Sequence, residues 1–192
     1  MRDRVIRDEI HRDILVPAHH ARIIDTHEFQ RLRNVQQLST CEFVFPSATH
    51  TRFAHSLGAY HLAGELTDSL QEVQPGLLSN EDAELVRLGA LLHDIGHPPY
   101  SHLLETPEVF ATYHSHEHWG RIMLENTSSE IGQVLDEVLG IERKKRLFSI
   151  LDGAKQCDGV PIAPFLKEII SSQLDVDRMD YMIRDQEIGR AS

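Results

Sequence analysis

Cysteine is scarce in this 192-residue chain. Cys41 and Cys157 are the only two, far apart and outside any Cys-x-x-Cys pattern, so the simple inference is a reduced, cytoplasmic compartment. Positive charge is also short: Lys and Arg total 19 against 30 Asp and Glu, a formal charge of -11 with His neutral. An acidic chain lacks the basic footprint that phosphate backbones require, which argues against broad nucleic-acid binding. A small anionic ligand is different, because a local cluster of cations suffices. No apolar run approaches membrane-spanning length, and the start Met1-Arg2-Asp3-Arg4-Val5-Ile6-Arg7-Asp8-Glu9 is too charged for a signal peptide. What is present is ordinary for one soluble domain over residues 1–192, with 41% hydrophobic and 26% charged residues. Histidine is the exception, at 13.

Three of the histidines lie in Leu91-Leu92-His93-Asp94-Ile95-Gly96-His97-Pro98-Pro99-Tyr100-Ser101-His102. Here an amphipathic helix closes and two prolines break it, gathering His93, Asp94, His97 and His102 at one helix end. Imidazole and carboxylate suit a divalent metal of borderline hardness: iron, manganese, cobalt or zinc. His93 and His97 share a face at i and i+4. A lone His here would be read more simply as complementing the helix dipole. That reading does not explain an acid beside it in the last turn, where acid is disfavoured.

Along the chain, Ile10 to Val16 reads as a short strand or docking segment ended by Pro17, and residues 23–38 show mostly helical spacing through Ile24, Phe29, Leu32 and Val35. Residues 41–46 are β-prone, then 47–50 form a loop. Thr51 precedes a helix from Arg52 to about Val73, whose Gly58, Ala59, Ala63 and Gly64 let another helix approach closely. Inside it Arg52 and His55 share a face, a cation beside a candidate ligand. Ser79-Asn80-Glu81-Asp82 opens a helix expected to run to His97. Ser115 reads as an N-cap that puts His116 at a helix start, where a His can exchange a proton near neutral pH. Helices follow over 130–139 and 142–151, separated by Gly140, and the basic run 143–146 reads as a solvated face. Pro164 opens the last long helix. There Asp177, Tyr181 and Asp185 recur at i, i+4 and i+8, with Arg178 three before Tyr181.

His55, His93-Asp94 and a late Asp form the order H…HD…D, which resembles the HD-domain metal-dependent phosphohydrolases. The surrounding text narrows the resemblance: Phe29-Gln30-Arg31-Leu32-Arg33, Val44-Phe45-Pro46, Thr51-Arg52-Phe53-Ala54-His55-Ser56-Leu57-Gly58, His116-Glu117, and Asp175-Val176-Asp177-Arg178-Met179-Asp180-Tyr181 with Arg184-Asp185. These are similar to the deoxynucleoside triphosphate triphosphohydrolase branch, which includes the SAM-and-HD-domain protein and bacterial dGTPases. The resemblance covers about residues 20 to 190. It implies an all-α helical bundle around a metal site.

It further implies His55, His93, Asp94 and Asp177 as metal ligands, with Asp177 preferred over Asp175 because the Arg-x-x-Tyr-x-x-x-Asp continuation counts from it. Arg52, His97, His102 and Arg178 match positions on or beside the triphosphate, which in such enzymes also carries Mg. His116, oriented by Glu105, matches the second catalytic His; whether His102 or His116 protonates the leaving oxygen stays open. Gln37, Tyr181 and Asp185 match residues around the deoxyribose, where Leu38 would crowd a 2'-hydroxyl. Asp25, Gln30 and Arg33 match a segment by which some members bind an activating nucleotide, and members assemble as homo-oligomers. The expected reaction is dNTP hydrolysis to deoxynucleoside and tripolyphosphate. The rivals are a nucleotidase, stepwise phosphatase or phosphodiesterase, and a non-catalytic nucleotide sensor.

Overall fold

Thr51 accepts a hydrogen bond from the Ala54 N–H at 3.3 Å, capping the helix that the other elements surround: α3, Arg52–Val73. The computed structural model describes residues 2–100, 104 and 114–190, with the backbone alone at 187, 189 and 190. It is an all-α fold with two small two-stranded sheets. Before α3 come a hairpin of β1 (Arg4–Asp8) and β2 (Arg12–Val16), then α1 (Ala18–Ile24) and α2 (His27–Gln30). After it come α4 (Asn80–Leu92), α5 (His116–Glu125), α6 (Glu130–Leu151), the pair β3 (Gln156–Cys157) and β4 (Val160–Pro161), α7 (Phe165–Ile170) and α8 (Val176–Arg190).

α3 packs against α4 on one side and α8 on another, and β2 covers part of a third. The first half of α3 is accordingly buried nearly all round, polar residues included. Gly58 sets the approach of α8, since a Cβ there would lie 1.8 Å from an Asp180 carboxylate oxygen. α4 carries Leu85, Leu88, Leu91 and Leu92 into the core with α6 and α7. Each such side chain contributes about 1.5–3 kcal/mol relative to exposure, which fixes the helix that ends at the candidate site.

That end is tighter than its spacing suggests. The α-helix stops at Leu92, and bonds from Ile95 N–H to Leu92 C=O and from His97 N–H to Asp94 C=O, both 3.1 Å, close three-residue turns. Pro98 disfavours a helical His97, so the α-helix cannot continue through it. Gly96 then touches α5: a Cβ there would lie 1.9 Å from the His116 carbonyl oxygen and 2.3 Å from Gly120 N. No other residue lets the two backbones meet, and this contact sets His97 beside His116.

Four expectations need correction. The helix expected over 23–38 is broken at Thr26, whose backbone is extended and whose hydroxyl donates to Ile23 C=O at 2.7 Å; a short 3-10 turn at Arg31–Asn34 follows α2. Residues 41–46 form no strand; Cys41–Phe43 is a 3-10 turn with Phe43 and Val44 exposed, and no strand among the described residues pairs with it. The basic run is a seam rather than a solvated face. Arg143 Nη2 reaches Glu84 at 2.6 Å, Arg146 Nε reaches Asp82 at 2.7 Å, and Lys144 is buried on Asp136 at 2.7 Å. The last long helix is two, α7 and α8, because the buried Asp175 carboxylate accepts from the Ser172 and Arg178 N–H groups and starts a new helix.

Candidate metal centre and cleft

Asp175 is thereby occupied as a cap, and Asp177, in the first turn of α8, faces the turn after α4. Asp177 Oδ1 lies 3.0 Å from His55 Nε2 and 3.6 Å from His93 Nε2. Asp94 lies across from it, with Oδ1 3.4 Å from His93 Nε2 and Oδ2 3.7 Å from His55 Nε2. Ligands bound at 2.0–2.2 Å to one metal ion sit roughly 3.0–3.4 Å apart, so the four groups are close to a coordination shell.

The remaining ring atoms show which way each imidazole is wired. His55 Nδ1 donates to Asp180 Oδ2 at 2.7 Å, and His93 Nδ1 donates to the Ala90 carbonyl at 2.7 Å. Ionised carboxylates and carbonyls only accept, so Nδ1 of each ring carries a proton and both Nε2 atoms point inward. Neither Nε2 has a hydrogen-bond partner among the described residues. This is the wiring of metal-binding histidines.

Charge tells the same story. Burial lowers the His55 pKa, but Asp177 and Asp180 more than reverse it, and the group is pushed up to about 9. His93 is raised as well: burial opposes this, and the Asp94 and Asp177 carboxylates outweigh it. Burial would raise both Asp94 and Asp177, yet His93 and its neighbours hold each well below the usual carboxylate range. His55 thus retains its second proton above neutral pH, partly balancing two buried anions. A divalent cation supplies the same balance, so these residues fit a metal ion.

A cleft of about 350 Å³ opens from this point, lined near the cluster by Gln37, Arg52, His97, His116, Asp177 and Tyr181. Arg52 is buried and its guanidinium holds Asp94 Oδ2. His97 stacks on His116 with centroids 3.8 Å apart and planes 14° apart, and its Nε2 lies 3.3 Å from Asp94 Oδ1. Burial carries the His97 pKa down to about 4 although Asp94 opposes this, so His97 is neutral at pH 7. Ser115 caps α5 through the His118 N–H, which puts His116 at the helix start.

Other singled-out residues lie apart. Arg178 is half exposed with Nε 3.7 Å from Asp175, Asp185 sits 3.4 Å from His50, and neither they nor Leu38 line the cleft. Gln30 Oε1 accepts from Arg33 Nε at 2.7 Å, and Asp25 pairs with Arg4; these too are outside the cleft. His102 and Glu105 fall outside the described residues.

Two supporting residues escaped the sequence reading. Asp180 is fully buried, accepting from His55, from His11 Nε2 at 2.6 Å and from Arg184 Nε at 2.7 Å. Its spacing from Asp177 hides it, since it lies off the 177/181/185 stripe. Arg31 donates to the His97 carbonyl at 2.7 Å and to the Ile95 carbonyl, satisfying the end of the turn that carries His93 and Asp94. The signals for Arg31 are its place beside a buried stripe and in the motif Phe29-Gln30-Arg31-Leu32-Arg33.

Comparison with known proteins agrees with this geometry. Residues 52–185 match the model of the HD domain. The chain is 39% identical over 182 aligned residues to protein MJ1154 of Methanocaldococcus jannaschii, covering 95% of this chain and 33% of that protein. It is 37% identical over 207 aligned residues to human deoxynucleoside triphosphate triphosphohydrolase SAMHD1, covering 95% and 33%. To the Dictyostelium discoideum SAMHD1 homolog it is 35% identical over 198, covering 98% and 37%. The chain therefore spans about a third of the length of these relatives.

Proposed function

The chain belongs to the HD-domain family, and on that premise we propose that its cleft hydrolyses deoxynucleoside triphosphates to a deoxynucleoside and tripolyphosphate. The observation that carries the reading is the convergence of two inward-locked Nε2 atoms with Asp94 and Asp177 at the end of a cleft bearing Arg52, His116 and Tyr181. His55, His93, Asp94 and Asp177 would hold a divalent transition metal. When bound, such a metal supplies Lewis acidity toward a phosphoryl oxygen and lowers the pKa of a water beside it.

The chain's own residues do the rest. Arg52 brings a cation, already oriented by Asp94, to the side where a polyphosphate would lie, offsetting charge locally in an acidic protein. His116 is stacked on a neutral His97 and stands at a helix start; on this reading it or His102 would pass a proton to the departing 5'-oxygen. Gln37 and Tyr181 line the cleft where a sugar would pack. On the same premise, Asp25, Gln30 and Arg33 would take an activating nucleotide, and the protein would work as a homo-oligomer in the cytoplasm.

Product analysis after incubating metal-loaded protein with each dNTP and with GTP, beside Asp94→Ala, tests the reading. Tripolyphosphate and deoxynucleoside from the wild type alone are expected. Stepwise monophosphate release would assign a nucleotidase instead, and nucleotide binding without turnover would assign a sensor.

A further inference from the structure

A second convergence of donor atoms lies at the other end of α4, where α1 crosses it. His19 Nε2 is 3.0 Å and His20 Nε2 is 3.2 Å from the same atom, Glu84 Oε1, and the three donor atoms all lie within 4.8 Å of one another. Glu84 is nine residues before His93, roughly 13 Å along the helix axis, so these groups share no ligand with the cleft. We propose that His19, His20 and Glu84 form a second divalent transition-metal site, of the two-imidazole, one-carboxylate kind that takes zinc.

The spacings of 3.0 and 3.2 Å are close to the roughly 3.3 Å edge of a tetrahedron with 2.0–2.1 Å bonds. Two features prepare the donors. The His20 ring is buried and seated edge-on against Tyr60, with Nδ1 2.8 Å from the phenolic oxygen. The hydroxyl can donate to Nδ1 or accept from it, so turning one O–H bond switches His20 Nε2 from a donor facing Glu84 to a lone pair facing a metal. Arg143 holds only Glu84 Oε2, at 2.6 Å, leaving Oε1 to the histidines.

Protonation states favour the ligand forms. Burial brings the His20 pKa down to about 4, so the ring is neutral at pH 7. The Glu84 carboxyl is held below its ordinary value, where burial opposes and Arg143 and the two histidines prevail. Burial pushes Tyr60 up to about 12, which keeps the hydroxyl proton that the switch uses. His19 is half exposed, giving the ion a route in and leaving a position for water. Arg143 and Arg87, which lies over the Tyr60 ring, oppose a cation, so the site is weaker than the cleft. Filled, it would tie α1 to α4.

Equilibrium dialysis of the whole chain against zinc tests this, with wild type, His19→Ala, Glu84→Gln, Asp94→Ala and His19→Ala/Asp94→Ala compared by bound zinc per chain. His19→Ala and Glu84→Gln should each lose one equivalent, and the His19→Ala loss should add to that of Asp94→Ala. Circular dichroism checks folding, which the exposed His19→Ala change should leave intact. Cobalt as a second probe should give a visible ligand-field band that survives Asp94→Ala and disappears with His19→Ala. Equal zinc in wild type, His19→Ala and Glu84→Gln would overturn the proposal. So would a His19→Ala change that removes nothing once Asp94 is gone.

Discussion

Asp180→Asn isolates a part of the candidate metal centre that is not itself a candidate ligand. The carboxylate accepts from His55 Nδ1 at 2.7 Å and balances Arg184 and His11. Asn keeps the shape and one acceptor oxygen but removes the charge. Arg184 retains Asp8, 3.1 Å away, so the fold should survive with a loss of about 1.5–3 kcal/mol, the worth of a charged hydrogen bond. Two opposite effects on metal binding follow, and pH separates them. A weaker partner at Nδ1 makes His55 a poorer and less fixed ligand, costing about 10–100-fold in affinity.

In the metal-free wild type, however, a proton competes for His55 Nε2 up to about pH 9. With that value near 9, single-proton competition makes apparent affinity rise roughly fifty-fold from pH 7 to pH 9. Removing Asp180 removes one of the charges that hold the proton, so the variant should show a shallower rise. Chelator-buffered cobalt titrations from pH 7 to 9, done in His19→Ala to silence the distal cluster, read both quantities. Weaker binding at pH 9 with a flattened slope is expected. Wild-type affinity at pH 9 and an unchanged slope would refute the idea that Asp180 wires His55. The same linkage acts on stability without metal. The raised His55 contributes stability fully below about pH 6.5 and loses it as pH rises through 9, whereas the depressed Asp94 and Asp177 contribute above about pH 4 and lose it on acidification.

Gly96→Ala would force the two backbones apart at the 1.9 Å contact with the His116 carbonyl, lowering stability by about 1–3 kcal/mol in denaturant melts and cutting turnover by unstacking His97 from His116. Arg31→Met leaves the Ile95 and His97 carbonyls without their donor; a loss of about 1.5–3 kcal/mol is expected, with weaker metal binding because the turn holding Asp94 loosens. Tyr181→Ala, in competition assays of a dNTP against its ribonucleotide, should erode sugar discrimination while leaving metal content at the wild-type level; an unchanged preference would favour the nucleotidase reading.

Where sequence and structure agree, the signal was local. α3 runs from Arg52 to Val73 as expected because the Thr51 hydroxyl caps its start. The proximity of His55, His93, Asp94 and Asp177 needed the motif resemblance, since α3, the turn after α4 and α8 supply them from distant stretches. Misreadings came from partners that periodicity cannot see. Residues 143–146 looked solvated because Glu84 and Asp82 are about sixty residues away. The α7–α8 break was hidden because Asp175 caps a helix inside an otherwise continuous helical pattern. Asp180 was passed over for the same reason: its partners are His11, His55 and Arg184.

That last network reaches almost from one end of the chain to the other, since Arg184 Nη2 meets Asp8 across 176 positions. A ligand shell whose orientation depends on such a contact cannot be assembled piecemeal during synthesis. A growing chain that has made α3 and α4 owns His55, His93 and Asp94, yet lacks Asp177 and the carboxylate that sets the His55 tautomer until α8 has emerged. Pairing across so long a separation is slow to form. Acquisition of the metal would therefore be a late event, and a ribosome-bound chain stalled before α8 should be unable to capture it.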